Sequence, residues 1–257
     1  MAQYYYLIHI QYLGFRYHGW QKQQGLKTIE SMMEKTLSFV LGPGLFKILG
    51  TSRTDAMVSA SHSAFELFIN FSLDTDVFHK ELNKNLPNDI RVLKIKEVDK
   101  NFNIINTPKI KEYLYLFSFG EKVHPFCAPL ISSFQDHLDI DLMHQGALLF
   151  QGTHDFRKYC TKPGPGTQCK RDILVSQIEE NTFYSASFFP EINYVYRIQS
   201  KGFMRNQVRL MMGQLLRLGR GEIGLGEIKE TLKGQDKQPL RYIAPSSGLI
   251  LYGIEFE

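Results

Sequence analysis

The sequence predicts a mixed α+β protein, and three observations carry that expectation. Apolar and polar residues alternate with period two over residues 4–12 and again from Phe65 to Phe71, the pattern of half-buried strands. Apolar residues recur at helical spacing at Ile29, Met32, Met33, Leu37 and Val40, and again at Met204, Val208, Met211, Met212, Leu215 and Leu216. The two patterns interleave, so that the first half reads β-α-β-β-α-β. With 257 residues there is room for one large domain or two packed halves. Hydrophobic content of 43% and charged content of 22% are ordinary for a folded chain.

Residues 4–12, rich in aromatic and β-branched side chains, form the first expected strand. The loop 14–21 follows, with Gly14, Phe15, Arg16, Tyr17, His18, Gly19, Trp20 and Gln21. Such a loop either packs its rings over a sheet end or offers aromatic and cationic groups to RNA bases and phosphates. Thr28 is placed to cap the first helix, which Gly42-Pro43-Gly44 ends. Residues 45–49 are an apolar strand, and residues 50–60 form a small, polar segment before the next strand. This segment carries one carboxylate, Asp55, and a guanidinium two residues earlier, Arg53. A carboxylate held ionised by a neighbouring cation can serve as nucleophile or general base, whereas a turn-forming Asp beside a surface Arg is the structural alternative.

A short helix from about residue 76, with Val77, Phe78 and Leu82, leads to a turn at 86–89 and a strand over 90–98. The polar stretch 99–108 is the expected junction, dividing the chain into halves 1–104 and 105–257 that pack together. From Lys109 a strand carries Tyr113, Tyr115, Phe117 and Phe119 on one side. A helix over 141–150 ends near Gly152, and the His154-Asp155 pair after it is assigned a structural role. The loop 158–171, with Gly164-Pro165-Gly166, lacks the Gly-Lys-Ser/Thr of a phosphate-binding loop. Strands are expected over 172–178, 183–188 and 194–199. The Met204–Leu216 stripe is a helix stopped by Gly219, with Arg205 and Arg209 one turn apart near its N-terminus, where anions are favoured. A shorter helix over 225–232 and a strand over 248–256 close the chain.

Composition narrows the partners. A net charge of +4 leans basic without identifying a nucleic-acid binder. Cys127, Cys160 and Cys169 make an odd number with no Cys-x-x-Cys, which favours a reducing compartment and argues against structural zinc. The first residues lack the basic flank of a signal peptide and no apolar run reaches membrane-spanning length, so a cytoplasmic protein is expected.

Residues 50–60 resemble the Gly-Arg-Thr-Asp-x-Gly-Val-His/Ser-Ala motif of the TruA-type tRNA pseudouridine synthases, whose Asp is catalytic. Further matches follow in the family's order: Tyr17 with Gly19-Trp20-Gln21, Asn83 to Ile90, Lys111-x-Tyr113-x-Tyr115, Gly152-x-His154-Asp155-Phe156, Phe203 with Gln207 and Arg209, and Gly248-Leu249. The resemblance implies an antiparallel α/β fold of two related halves whose sheets join into one extended central sheet. Helices would pack on one face, and a basic active-site cleft would lie between the halves. It implies an isomerase that turns uridine into pseudouridine in RNA, family-typically in the tRNA anticodon stem-loop. Asp55 would be the catalytic carboxylate, Arg209 its partner, and Tyr113 the ring on the uracil. Arg53, Tyr17, Trp20, Gln21 and Arg205 would contact RNA. The chemistry needs no cofactor or metal, and the expected partners are tRNA and a second copy in a homodimer, with no membrane. Three positions depart from the family: Ser52 and Met57 stand for glycines and Ser63 for a frequent Gln. Met57 matters most, since Gly permits positive φ and close RNA approach. The alternatives are a non-catalytic RNA-binding relative, a synthase acting on another RNA site, or an Asp-dependent hydrolase.

Overall fold

The computed structural model describes residues 4–108, 110–164, 166–234, 238 and 240–256. Lys109, where the fifth strand was expected to begin, and Pro165 of the glycine-flanked loop lie outside the described residues. The described strands are β1 (Tyr4–Tyr12), β2 (Phe46–Gly50), β3 (Ser59–Ile69), β4 (Ile90–Val98), β5 (Ile110–Phe119), β6 (Ser132–Phe134), β7 (Gly152–Asp155), β8 (Lys170–Glu180), β9 (Tyr194–Ser200) and β10 (Leu249–Glu255). The helices are α1 (Ile29–Leu41), α2 (Thr75–Asn85), α3 (Ile140–Leu148), α4 (Gln207–Gly219) and α5 (Leu225–Thr231). The fold is mixed α+β, and its strand pairs are antiparallel apart from the parallel pair β5–β6. The chain divides into two compact units, Met1–Lys109 with Leu251–Glu257, and Ile110–Ile250.

In the first unit β1 lies between β4 and β3, and β2 pairs with the outer side of β3. Alternation along β1 puts Tyr6, Ile8, Ile10 and Tyr12 on a buried face, and burying each such side chain contributes about 2 kcal/mol. Helix α1 starts at Thr28, whose Oγ1 accepts from the Ser31 N–H at 3.2 Å while Ser31 Oγ accepts from the Thr28 N–H at 3.0 Å. This reciprocal cap gives acceptors to two N–H donors that have no helical partners. Its buried residues Ile29, Met33 and Leu37 belong to the core of the unit. Helix α2 is capped by Asp74 rather than starting at residue 76, and its Phe78 and Leu82 are buried.

The opposite face of the first unit is covered by the stretch 99–108. Ile104 is fully buried there against Leu7 and Ala64, with Phe102 and Phe256 packed around them. Thr51 Oγ1 donates to the Ile104 carbonyl at 3.2 Å, tying this stretch to the start of the Asp55 segment. On the same face His9 Nδ1 lies 2.7 Å from His62 Nε2, and the Phe256 ring meets His9 edge-on at 5.7 Å. Burial first, then His62 and the Lys94 and Lys96 ammoniums of β4, hold His9 down to about 4, and burial also lowers His62. As pH falls from the ordinary 6.5 towards 4, the unfolded chain takes up protons at these imidazoles that the folded chain does not. Stability is therefore lost across that window and is fully present above it. In thermal unfolding at pH 7 and pH 4, His9→Gln is expected to lose less Tm than the wild type. An equal loss would place the sensitive groups elsewhere.

In the second unit the order is β5–β9–β8–β7, with β6 beside β5. Helix α4 is buried nearly all round, with Leu210, Met211, Leu215 and Leu218 inaccessible. That explains why its sequence is apolar on most sides. One expected strand is absent: residues 183–188 form irregular chain with a bend at 183 and a turn at 187–188. The side chain of Asn181 captures the backbone there. Its Oδ1 accepts from the N–H groups of Phe183 at 3.0 Å and Tyr184 at 3.2 Å, and its Nδ2 donates to the Tyr184 carbonyl at 2.8 Å. An Asn that satisfies three local backbone groups removes them from any ladder. The His154-Asp155 pair lies at the end of β7, where His154 Nε2 is 2.9 Å from the Gln151 carbonyl and Asp155 Oδ1 accepts the Arg157 N–H at 2.9 Å.

Candidate active site

The Asp55 segment joins β2 to β3 and is held mainly by residues 12–20, more than thirty residues earlier in the chain. The Trp20 N–H donates to the Thr54 carbonyl at 3.1 Å, and the Met57 N–H donates to the Tyr17 carbonyl at 3.0 Å. Tyr12 OH and Thr54 Oγ1 share a bond of 2.9 Å, and the Gly14 N–H donates to Ser59 Oγ at 2.9 Å. Within the segment the Val58 N–H reaches back to the Asp55 carbonyl at 3.2 Å, closing a tight turn around Ala56 and Met57. Gly19 is required for this approach: a Cβ there would lie 2.5 Å from the Thr54 carbonyl oxygen, and its φ is +85°. The outcome is a half-buried Asp55 between a buried Thr54 and an exposed Ala56.

The loop 14–21 separates into two kinds of residue. Tyr17 and Trp20 are each 2% exposed, and Trp20 packs near Tyr12 and Phe65, with ring centroids 6.5 and 6.3 Å away. Their buried rings anchor the loop, and their backbone groups, the Tyr17 carbonyl and the Trp20 N–H, hold the Asp55 segment. Arg16, Gln21 and Arg53 are exposed.

Met57 adopts φ +68°, the left-handed conformation that glycine permits and methionine resists. The turn is imposed from outside, by the Tyr17 carbonyl on the Met57 N–H and by the buried Val58 after it. A non-glycine residue in this region carries about 1–2 kcal/mol of strain, more when β-branched. Thermal unfolding is therefore expected to rank Met57→Gly at or slightly above the wild type. The strain released is partly offset by about 0.5–1 kcal/mol of added chain entropy. Met57→Val is expected to fall below the wild type by more than about 1 kcal/mol. A Val variant as stable as the wild type would mean that the turn is not left-handed here.

In the second unit Tyr113 stands on β5, its ring edge-on to Phe203 at 5.2 Å. Tyr115, two residues on, is fully buried; its OH donates to the Pro245 carbonyl at 2.9 Å and accepts from Ser132 Oγ at 3.0 Å. Arg209 lies in the first turn of α4. Its Nε donates to the Ala244 carbonyl at 2.8 Å, and the Ala244 N–H returns to the Arg209 carbonyl at 3.1 Å. Nη1 reaches Asn206 Oδ1 at 3.5 Å. One edge of the guanidinium is thus fixed by backbone. Residues 244 and 245 serve Arg209 and Tyr115 together.

Arg205 is not on this helix. The chain turns at Arg205 and Asn206, Asn206 adopts φ +59°, and the helix begins at Gln207, so Arg205 and Arg209 do not share a helical face. Arg205 is exposed, and its carbonyl accepts the Thr161 N–H at 3.3 Å. The turn is secured by Asn206 Nδ2 donating to Thr161 Oγ1 at 2.9 Å and by the Met204 N–H donating to Gln207 Oε1 at 2.9 Å. Sequence reading overlooked the Ala244 carbonyl, which as a backbone group leaves no mark in residue types. Lys111, matched in the motif with Tyr113 but given no role by the sequence, has an ammonium that burial pulls down to about 8.

Among the described residues no three His, Cys, Asp or Glu side chains are grouped to hold a metal ion, and no helix is long and apolar enough to cross a membrane. A family model described as tRNA pseudouridine synthase matches residues 147–257, the part that carries Arg209. Curated relatives extend over nearly the whole length. The tRNA pseudouridine synthase A of Thermodesulfovibrio yellowstonii is 30% identical over 247 residues, covering 94% of this chain and 95% of the relative. That of Dictyoglomus thermophilum is 30% identical over 251 residues, covering 97% and 98%. The tRNA pseudouridine synthase A 2 of Bacillus thuringiensis subsp. konkukian is 30% identical over 253 residues, covering 98% and 99%. With identity at this level spread end to end on both sides of each comparison, the chain belongs to the tRNA pseudouridine synthase family.

Proposed function

We propose that this protein converts uridine to pseudouridine in tRNA, with Asp55 as the carboxylate that acts at the sugar. The reaction breaks the bond between uracil N1 and the ribose, turns the base and rejoins it through C5; the C5 proton is released to solvent and N1 takes one up. Substrate and product are isomers, so nothing is consumed and the side chains of the chain suffice. Asp55 acts as nucleophile at the sugar or as base towards it. The family resemblance gives Arg209 as the partner that would keep that carboxylate charged and oriented, a charge-assisted pair being stronger in a dry site than at a surface. Tyr113 stacks on the uracil and relays protons. Arg53, Gln21 and Arg205 offer exposed polar groups to the RNA, and Tyr17 and Trp20 shape the loop behind Asp55.

The observation that carries this reading is the turn at Asp55. Met57 takes the left-handed conformation although the family's glycine is missing, so the departure that most threatened activity leaves the backbone geometry in place. The target nucleoside has to leave its stack, at a cost of a few kcal/mol that is least in a loop. That favours the anticodon stem-loop as the substrate region. The family pattern also supports a cytoplasmic homodimer.

The test is tritium release from transcribed tRNA labelled at uridine C5, followed by mapping of the modified position. Release, with pseudouridine in the anticodon stem-loop, is expected. RNA binding without release would identify a non-catalytic relative. No binding even at low salt, where phosphate contacts are strongest, would remove RNA as the substrate.

A further inference from the structure

The Asp55 segment borrows its shape from the loop 14–21, and that loop is itself secured from one place. Asp89, in the turn before β4, receives three side-chain donors. Its Oδ1 accepts Tyr17 OH at 2.7 Å and Arg16 Nη2 at 2.8 Å, and its Oδ2 accepts Arg16 Nε. Its carbonyl accepts the Leu13 N–H at 2.9 Å. The Tyr17 ring has the Arg16 guanidinium 5.4 Å and the Lys27 ammonium 5.1 Å from its centroid. From Tyr17 the path to the site is one bond long, because its carbonyl fixes Met57, two residues beyond Asp55. Trp20, three residues on, fixes Thr54 on the other side.

We propose that Asp89 is a positioning residue for Asp55, acting through Tyr17 and Arg16 to set the turn that aims the carboxylate. This rests on the reading of Asp55 as the reacting group. Stability alone does not account for the arrangement. The Arg16 side chain is 54% exposed against 15% for Asp89, and an ion pair with one end in water contributes little to folding. What the pair supplies is direction: a bidentate guanidinium and a phenol converge on one carboxylate and leave the loop one orientation. Burial by itself would raise the Asp89 carboxyl; the donors from Arg16 and Tyr17 outweigh it and hold it below its ordinary value. The acceptor is therefore charged throughout the neutral range.

Asp89→Asn keeps the size and one acceptor oxygen, and Tyr17→Phe removes only the hydroxyl. Both are to be assayed singly and together by tritium release, at a temperature where circular dichroism shows every variant folded. Each single change is expected to lower kcat about tenfold with KM for tRNA within about twofold, since a reacting group displaced by a fraction of an ångström loses turnover rather than binding. The double variant is expected to be no slower than the slower single one, because both act through the same bond. Unchanged kcat, a change confined to KM, or multiplied losses in the double variant would overturn the positioning role while wild-type turnover still supports Asp55. A wild type that releases no tritium would overturn the Asp55 reading and this proposal with it.

Discussion

Asp55→Asn is expected to lower tritium release by at least about 10³-fold, with tRNA affinity and Tm close to the wild type. An amide has nearly the shape of a carboxylate but neither attacks the sugar nor accepts its proton. The turn is expected to survive the change, because backbone bonds at Thr54, Asp55, Met57 and Val58 hold it. Asp55→Glu is the instructive companion. It keeps the charge but moves it by one methylene, and a misplacement of about 1 Å is enough to cost about 10²-fold. The expected order is therefore wild type, then Glu, then Asn, in kcat rather than KM. An Asn variant within tenfold of the wild type would show that the carboxylate is not the reacting group. A Glu variant as slow as Asn would mean that placement matters as much as charge.

Gly213→Ala is expected to destabilise the second unit by about 1–3 kcal/mol and to lower kcat with it. Helix propensity alone predicts the opposite sign, since Ala is favoured over Gly inside a helix by about 1 kcal/mol. Packing decides. A Cβ on Gly213 would lie 2.3 Å from the Tyr242 carbonyl oxygen, a backbone atom that cannot rotate away. Tyr242 is two residues from Ala244, whose carbonyl and N–H both bind Arg209. Pushing residues 242–244 off α4 therefore moves the acceptor that fixes the guanidinium. The loss of turnover is expected to persist at temperatures where the variant is fully folded. Calorimetry settles the sign, and a raised Tm would show that the contact between α4 and residue 242 is looser than 2.3 Å implies.

Much of the fold was legible because side-chain period reports which face is buried. The alternation in 4–12, the stripe of α1 and the stripe of α4 each appear in the structure close to where the pattern places them. Thr28 was readable as a cap because a hydroxyl before an apolar helical run satisfies local donors. Asp55 was readable as a candidate because Arg53, two residues earlier, could hold a lone carboxylate ionised, and the family resemblance gave it a role. Other features turn on one side chain or one backbone angle that periodicity does not report. Residues 183–188 carry the aromatic composition of a strand, but the side chain of Asn181 takes their backbone groups. The spacing of Arg205 and Arg209 suggested one helical face until Asn206 turned left-handed between them.

The sequence alone therefore determined the α+β class and the order of most elements and singled out Asp55 as the acidic candidate, because each depends on periodicity or on a short run of neighbours. Tertiary structure alone decided that Met57 turns left-handed, that Tyr17 and Trp20 are supports, that Ala244 holds Arg209, and that Asp89 secures the loop under Asp55. The physical reason is common to all four. A backbone group or buried polar atom must find a partner, and the partner lies wherever folding brings one, at a separation in sequence that no local pattern encodes.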